Sequence, residues 1–278
     1  MKTRVITAIF LILIFVPSFI IGGILLDVVL GLIGLIATYE FFTMFKQKSN
    51  APIFVLIIEM ILSLLMFFLI TYYYKGSIEL EIVFYTLIFV VVVGSLLLVI
   101  ADGFESDDFG RYLVGILYPV IGFSALSALR NMSLGTIGFL FMVTSMTDMF
   151  AYYVGINFGK HRLAEKISPK KSVEGAIGGI FFAVLLTVGF VYLIGLESIG
   201  NIELNIFVTI GLVIVISIFG QIGDLVASKI KRGYGIKDFS NLFPGHGGVM
   251  DRFDSAILAS IVLILINEVV GLLWIYIF

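Results

Sequence analysis

The chain contains no cysteine, only two histidines and few charged residues. The lack of cysteine excludes disulfides and thiolate metal sites, and two histidines, His161 and His246, argue against a histidine-based zinc site. Charged residues make up 13% of the 278 residues, against about 25% in a typical soluble domain. Hydrophobic residues make up 60%. This composition excludes a soluble globular enzyme, a disordered protein and a secreted disulfide-rich scaffold, and it indicates an integral membrane protein.

Nine stretches of the sequence are each long and apolar enough to cross a bilayer, which takes about 20 residues. They are residues 5–25, 27–45, 52–73, 82–101, 112–129, 134–158, 175–195, 204–227 and 254–276. No soluble domain fits between them. We therefore predict an all-α polytopic membrane protein with about nine transmembrane helices. Residues 1–130 would form N-terminal transmembrane helices, and residues 131–278 a C-terminal catalytic region with polar loops at 159–174 and 228–253.

Basic residues are distributed asymmetrically around these stretches. If the N-terminus is cytoplasmic, every lysine and arginine except Lys75 and Arg130 falls on the cytoplasmic side. The positive-inside rule then predicts a cytoplasmic N-terminus and an external C-terminus, with the polar site at the cytoplasmic membrane face. The basic residues concentrate in the last two cytoplasmic loops, which suggests an anionic ligand or an anionic lipid surface.

Acidic residues inside membrane spans are costly and are therefore candidates for function. Asp148 lies among hydroxyl residues, and Asp224 follows Gly220 and Gly223, which permit a neighbouring backbone to approach closely. Ser228 lies four residues after Asp224 on the same helix face. Each of the two aspartates needs a cation or a hydrogen-bond donor nearby. Three further acids in or at the ends of spans have no assigned role: Glu40, Glu59 and Glu268.

The loop 159–174 carries residues suited to phosphate. Ser168-Pro169 predicts a turn, and Lys170, Lys171 and Ser172 follow it just before the next apolar stretch. Lysines and a hydroxyl group at the start of a helix can bind phosphate oxygens. We therefore expect this loop to contact a phosphorylated substrate.

The loop 228–253 combines basic residues, a glycine-rich turn and acids. Its basic part offers five candidate substrate contacts: Ser228, Lys229, Lys231, Arg232 and Lys237. Glycines on both sides of His246 give its imidazole room to contact a ligand. If the last helix starts near Met250, Asp251 and Asp254 share one face, whereas Arg252 points elsewhere. With Asp224 on the same membrane side, these acids favour magnesium, which commonly uses one or two carboxylates plus substrate phosphates.

The stretch from Ser228 to Asp254 resembles the signature of the phosphatidate cytidylyltransferases, also called CDP-diacylglycerol synthases. The matching elements are Ser228, Lys231-Arg232, Lys237-Asp238, Ser240, Phe243-Pro244, His246-Gly247-Gly248, Asp251-Arg252 and Asp254. Upstream, Ser-Pro-Lys-Lys-Ser-Val-Glu-Gly is similar to the family's Ser-Pro-Lys-Lys-Thr-x-Glu-Gly, with Ser172 in place of threonine. The segment that begins at Asp148, Asp-Met-Phe-Ala-Tyr-Tyr-Val-Gly, resembles a third family segment.

The resemblance implies a multi-pass enzyme of the cell (inner or plasma) membrane that acts in phospholipid biosynthesis. It would join CTP to phosphatidate, giving CDP-diacylglycerol and pyrophosphate. The resemblance also implies Mg2+, with a monovalent cation such as K+ beside it, a homodimer, and no nucleic-acid partner. Asp224 and Asp251 match the family's metal-binding aspartates. The catalytic candidates are Asp224, Asp251, Asp254, His246 and Arg252. The candidates for substrate binding are Lys170, Lys171, Ser172, Ser228, Lys229, Lys231, Arg232, Lys237 and Asp148.

Two other functions stay open on the residues alone. A cation-coupled transporter would use Asp148, Asp224 and Glu268, but it leaves the two phosphate-suited loops unexplained, and no inverted repeat is visible. A polyprenol or dolichol kinase-like enzyme would also use a nucleotide and a lipid, but it needs a base to activate a hydroxyl group. Phosphatidate carries an ionised phosphate, so its transfer chemistry needs mainly positioning and charge neutralisation.

Overall fold

The computed structural model describes residues 2–277, with side chains described for residue 9 and residues 11–273. The described residues form nine α-helices: α1 Lys2–Ile21, α2 Gly23–Phe45, α3 Ile53–Tyr74, α4 Leu80–Ile100, α5 Ser106–Met132, α6 Leu134–Phe158, α7 Val173–Ile194, α8 Ile206–Gly233 and α9 Met250–Ile277. Two short antiparallel hairpins interrupt the helices: β1 Arg162–Ala164 with β2 Ser168–Ser172, and β3 Ser198–Ile199 with β4 Ile202–Glu203.

Eight of the helices within the described residues, α2 to α9, are long and apolar enough to cross a membrane. Within the side chains described for α1, the apolar stretch is shorter and covers Leu11–Ile21. A helix satisfies its own backbone hydrogen bonds, which is what a segment surrounded by lipid requires. Large apolar side chains such as Val99, Leu193 and Phe207 stand exposed on these helices, as lipid-facing residues do. The prediction of an all-α polytopic membrane protein is confirmed.

Met1–Asn131 and Gly233–Arg252 form one compact unit. It contains α1 to α5, the loop after α8 and the first turn of α9. Its apolar core includes Leu26, Phe41 and Phe123, which are fully buried. Asp27 near the start of α2 is also buried. Its carboxylate pairs with Lys75 and accepts a hydrogen bond from the hydroxyl of Ser127 on α5. A buried charge requires such partners.

Met132–Arg232 and Phe253–Phe278 form the second unit, in which α6 and α7 pack most closely. Gly175 and Gly179 on α7 face backbone carbonyls of α6. A Cβ atom on Gly175 would lie 2.6 Å from the oxygen of Ala151, and one on Gly179 would lie 2.6 Å from the oxygen of Thr147. Two glycines four residues apart let two helices approach to backbone contact. This contact fixes α6 beside the start of α7.

The helices α8 and α9 of the second unit also touch through a glycine. A Cβ atom on Gly223 would lie 2.5 Å from the carbonyl oxygen of Asp254, so only glycine fits there without a shift. At Gly220 the added atom would lie 3.6 Å from Thr144, which is an ordinary contact. The predicted close backbone approach is therefore confirmed at Gly223, whereas Gly220 does not require it.

Two local predictions differ from the structure. Helix α8 continues to Gly233, so the predicted loop residues Ser228, Lys229, Lys231 and Arg232 lie in its last turns. Basic side chains stabilise the C-terminal end of a helix dipole, which explains why the helix extends through them. The predicted turn at Ser168-Pro169 is wrong, because these residues begin strand β2 and the turn lies at 165–167. Proline is tolerated at the beginning of a strand.

Candidate functional site

An ion pair joins two signature segments within the second unit. The amino group of Lys171 on β2 pairs with the carboxylate of Asp224 on α8, and the two side chains are 25% and 27% exposed. The hydroxyl of Ser228, one turn further along α8, donates to Asp224 Oδ1 at 3.2 Å. Asp224 therefore has both a cation and a hydroxyl donor, as an acid in a membrane helix requires. This hydrogen bond agrees with the expectation that Ser228 and Asp224 share one face of the helix.

Helices α6 and α9 add two further acids to this region of the second unit. Asp148 on α6 accepts a hydrogen bond from the hydroxyl of Ser255 on α9 at 3.0 Å. Asp148 also lies within electrostatic range of Lys171 and Asp224. Asp254 on α9 lies within electrostatic range of three of the candidates: Asp148, Asp224 and Lys231. We call the set Asp148, Lys171, Asp224, Ser228, Lys231, Asp254 and Ser255 the carboxylate–lysine cluster.

The first hairpin explains why Lys171 reaches Asp224. Ser172 follows Lys171, is buried, and caps α7 by accepting a hydrogen bond from the N–H of Gly175 at 3.1 Å. Glu174 accepts hydrogen bonds from the N–H groups of Lys160 at 3.0 Å and His161 at 3.2 Å. Both sides of the hairpin are thus tied to the first turn of α7. Side chains alternate along a strand, and accordingly Lys170 is exposed where Lys171 is half-buried.

The basic residues at the end of α8 differ in exposure. Lys229 and Arg232 are exposed, whereas Lys231 is buried. A buried ammonium group needs compensating negative charge. One acid within its electrostatic range is Asp254. Sequence reasoning grouped all these residues as substrate contacts, and the structure separates Lys231 from its neighbours because only one side of a helix faces the protein interior.

In the first unit, Asp251 holds the loop that precedes α9. Its Oδ2 accepts hydrogen bonds from the N–H groups of Phe239 at 2.8 Å and Gly248 at 2.9 Å, and the residue is 8% exposed. Helix α9 begins at Met250, which is the start that the sequence argument for Asp251 and Asp254 assumed. Arg252 is exposed, as expected for a residue that points away from the face of Asp251.

His246 lies at the tip of the same loop. Its N–H donates to the carbonyl of Phe243 at 2.8 Å, and the N–H of Phe243 donates to the carbonyl of Gly247 at 2.9 Å. Gly245 and Gly247 have φ angles of 79° and 81°, which residues other than glycine rarely adopt. Within the described residues the imidazole Nδ1 is buried and has no hydrogen-bond partner. A buried polar atom of this kind suits a ligand contact. Lys237, earlier in the loop, is exposed.

Glu40 was left without a role by the sequence, and the structure places it against the signature loop of the first unit. The residue is 1% exposed. Its carboxylate accepts hydrogen bonds from the hydroxyl of Ser240 at 2.6 Å and from the N–H groups of Val249 at 2.8 Å and Met250 at 3.0 Å. Its partners lie 200 or more residues away in sequence. The cost of burying an acid was therefore the only signal available.

The other two acids without a role are placed differently. Glu59 is buried in α3. Glu268 on α9 accepts a hydrogen bond from the side-chain amide of its neighbour Asn267 at 3.2 Å. Neither residue contacts a signature segment through a described hydrogen bond, so neither enters the candidate site.

The side-chain atoms of the site that could bind a metal ion are mainly oxygens. Within the described part of the chain, no three histidine, aspartate or glutamate side chains stand close enough to hold a metal ion by themselves. Carboxylates such as Asp224 and Asp254, with the hydroxyl of Ser228, are hard ligands of the kind that magnesium prefers. Magnesium usually completes its coordination with water and substrate phosphates, so this donor set fits it. The assignment of magnesium to Asp224 and Asp251 stays a prediction.

Membrane-spanning helices with acids, lysines and hydroxyls near their ends define a polytopic membrane protein with a polar site suited to phosphate groups. The model of the cytidylyltransferase family matches residues 2–270. Relatives named phosphatidate cytidylyltransferase cover 92% of this chain, which covers 94% of each of them. Identity is 32% over 256 residues for Staphylococcus aureus (strain COL), and 35% over 260 residues for Staphylococcus haemolyticus and Staphylococcus epidermidis. The chain belongs to the cytidylyltransferase family. This membership does not favour the two alternative functions, a cation-coupled transporter and a lipid kinase.

Proposed function

We propose that this protein transfers the cytidylyl group of CTP to phosphatidate, giving CDP-diacylglycerol and pyrophosphate. Family membership and the name shared by its relatives support this reaction. The structural observation that carries the proposal is the ion pair of Lys171 with Asp224 beside Ser228. Two signature segments that lie apart in sequence supply, in one place, the cationic and hydroxyl groups that bind phosphate oxygens.

The reaction requires little covalent chemistry from the protein. An oxygen of the phosphatidate phosphate attacks the α-phosphorus of CTP. A new phosphorus–oxygen bond forms, and the bond from the α-phosphorus to the oxygen that bridges it to the β-phosphorus breaks, so that pyrophosphate leaves with the electron pair. The attacking phosphate is already ionised near neutral pH, and no strong general base is needed. The protein contributes orientation and charge neutralisation.

The candidate residues have different proposed roles, depending on how exposed their side chains are. We propose that half-buried Lys171 and the hydroxyl of Ser228, which both contact Asp224, hold phosphate oxygens. The imidazole of His246 offers an unpartnered Nδ1 to a ligand. Exposed basic residues raise the local positive potential and so attract the polyanionic nucleotide. These exposed residues are Lys170, Lys229, Arg232, Lys237 and Arg252.

Magnesium, when bound, would supply positive charge that offsets the negative charge of the phosphate groups. Asp224 and Asp251 are the residues that we propose hold it, on the basis of the family resemblance. Asp254 lies within electrostatic range of Asp224 and would support the same ion. A monovalent cation such as K+ beside the magnesium is proposed on the resemblance alone.

The charge asymmetry supports a site that faces the cytoplasm, and the family resemblance supports the inner or plasma membrane as its location. The family resemblance supports a homodimer. Light scattering of the purified protein in detergent measures the protein mass of the particle and tests this, since a mass of one chain, 30.7 kDa, would contradict it.

The reaction itself is tested by incubating the purified protein with CTP, phosphatidate and magnesium chloride. Mass spectrometry of the lipid fraction should show CDP-diacylglycerol, and the aqueous fraction should contain an equal amount of pyrophosphate. The double variant Lys171→Gln/Asp224→Asn serves as the matched inactive control. Absence of the lipid product with the unmodified protein would refute the proposal.

A further inference from the structure

Glu40 gathers three hydrogen bonds from a single segment of the first unit. The N–H groups of Val249 and Met250 reach separate carboxylate oxygens, and the hydroxyl of Ser240 shares the first of these oxygens. The Cα atom of Gly248 lies so close to this carboxylate that an added Cβ atom would overlap it. The whole approach therefore depends on a glycine at this position.

These contacts lie at the start of α9, where a helix most needs them. The first N–H groups of a helix have no partner within it, and a negative charge there is stabilised by the helix dipole. Most helices obtain such a cap from a residue next to them in sequence. Here Glu40 supplies it from the C-terminal part of α2, and Asp251 adds a second carboxylate that binds the N–H of Gly248.

The first turn of α9 carries the signature residues Asp251 and Arg252, and Asp254 follows one turn later. The direction of their side chains is set by where the helix starts and how its first turn is held. Glu40 binds the two N–H groups that immediately precede Asp251. Glu40 also lies within electrostatic range of Asp251, which accepts from a different pair of backbone N–H groups.

We propose that Glu40 is a positioning residue for cytidylyl transfer, which caps α9 from α2 and thereby fixes the direction of Asp251 and Arg252. This inference rests on the proposed function. Glu40 does not touch the substrates; it acts through the backbone of Val249 and Met250. Glutamine at this position keeps one acceptor oxygen and has a donor NH2 in place of the other, so one of these two N–H groups loses its acceptor and the first turn of α9 loosens.

The test compares Glu40→Gln with Asp27→Asn. Both replace a fully buried acid on α2 by its amide, but Asp27 pairs with Lys75 and Ser127 rather than with the signature loop. The rate of hydrogen exchange in the peptide that contains Val249 and Met250 measures directly whether their N–H groups stay hydrogen-bonded. Turnover as a function of CTP and magnesium concentration measures the effect on catalysis.

Glu40→Gln should speed exchange at residues 248–252 and lower kcat/KM for CTP by about 10- to 100-fold, since misplacement by about 1 Å costs that much. It should also raise the magnesium concentration that gives half-maximal rate. Asp27→Asn should leave exchange in this segment and the magnesium dependence unchanged. Unmodified exchange and kinetics in Glu40→Gln, or the same changes in both variants, would overturn the proposal.

A second variant keeps the test decisive if Glu40→Gln does not fold. Gly248→Ala places a methyl group against the Glu40 carboxylate and should reproduce the kinetic change, whereas normal kinetics would overturn the proposal. Failure of the unmodified protein to make CDP-diacylglycerol would refute the proposed function instead. The exchange comparison would still decide whether Glu40 holds the start of α9.

Discussion

Lys171 on β2 forms an ion pair with Asp224 on α8, and this pair joins the two basic signature segments of the second unit. The pairing gives Lys171 a fixed direction and leaves a quarter of its side chain exposed. Its neighbour Lys170 points to the opposite side of the strand and is exposed. Two adjacent lysines that look equivalent in the sequence therefore have different surroundings.

The two lysines should differ in their contribution to catalysis. Lys171→Gln should lower kcat/KM by about 10²- to 10³-fold, the loss typical of removing one oriented charge-stabilising group. Lys170→Gln should lower it only a few-fold, because an exposed charge acts mainly by attracting the nucleotide. Steady-state kinetics at several salt concentrations measure both. Equal losses for the two variants would contradict the assigned directions.

Asp224 and Asp251 should behave as one magnesium site. Asp224→Asn and Asp251→Asn should each nearly abolish turnover, and the double variant should be little worse than either, because residues that act as a unit are not additive. Asp254→Asn should have a smaller effect. Activity measured against magnesium concentration checks this. Near-normal turnover and unchanged magnesium dependence in both single variants would remove the metal assignment.

The contact between α6 and α7 should be sensitive to a single methyl group. Gly179→Ala would place a Cβ atom 2.6 Å from the carbonyl of Thr147, and overpacking of this kind costs about 1–3 kcal/mol. Gly189→Ala, on the same helix, meets nothing within 4 Å and serves as the control. Thermal unfolding in detergent should show a lower midpoint for Gly179→Ala alone. A shift of the same size in both variants would contradict the close contact.

How much the sequence could predict depends on how local each interaction is. The contact of Ser228 with Asp224 follows from helix geometry, and it was predictable once a helix was assigned. The pair of Lys171 with Asp224 depends on the tertiary placement of β2 and α8, which no local pattern encodes. The first hairpin was missed because strands of three and five residues carry too few positions to show alternation.

The contacts of Glu40 illustrate the same limit more strongly. A buried acid near the end of a membrane helix signals only that it needs donors. The donors turned out to be two backbone N–H groups, which every residue carries, so side-chain identity could not reveal them. The fold class, by contrast, follows from apolar stretches alone, because length and hydrophobicity suffice to specify a spanning helix.

The orientation can be tested on a chain that has no native cysteine. Single cysteines at exposed Lys166 and at exposed Glu197 lie on opposite sides of α7 along the chain. An impermeant maleimide added to intact cells should label the cysteine at position 197 and not the one at 166, as the charge asymmetry predicts. The reverse pattern would contradict a cytoplasmic site.

The fate of each phosphorus of CTP tests the central claim most directly. Purified protein is incubated with phosphatidate and magnesium, and with CTP labelled at either the α- or the γ-phosphate. Cytidylyl transfer predicts that the α-label enters the lipid fraction, whereas the γ-label appears only in pyrophosphate. A γ-label in the lipid would indicate a kinase, and no label in the lipid from either CTP would exclude nucleotide transfer altogether. Either result would contradict the account.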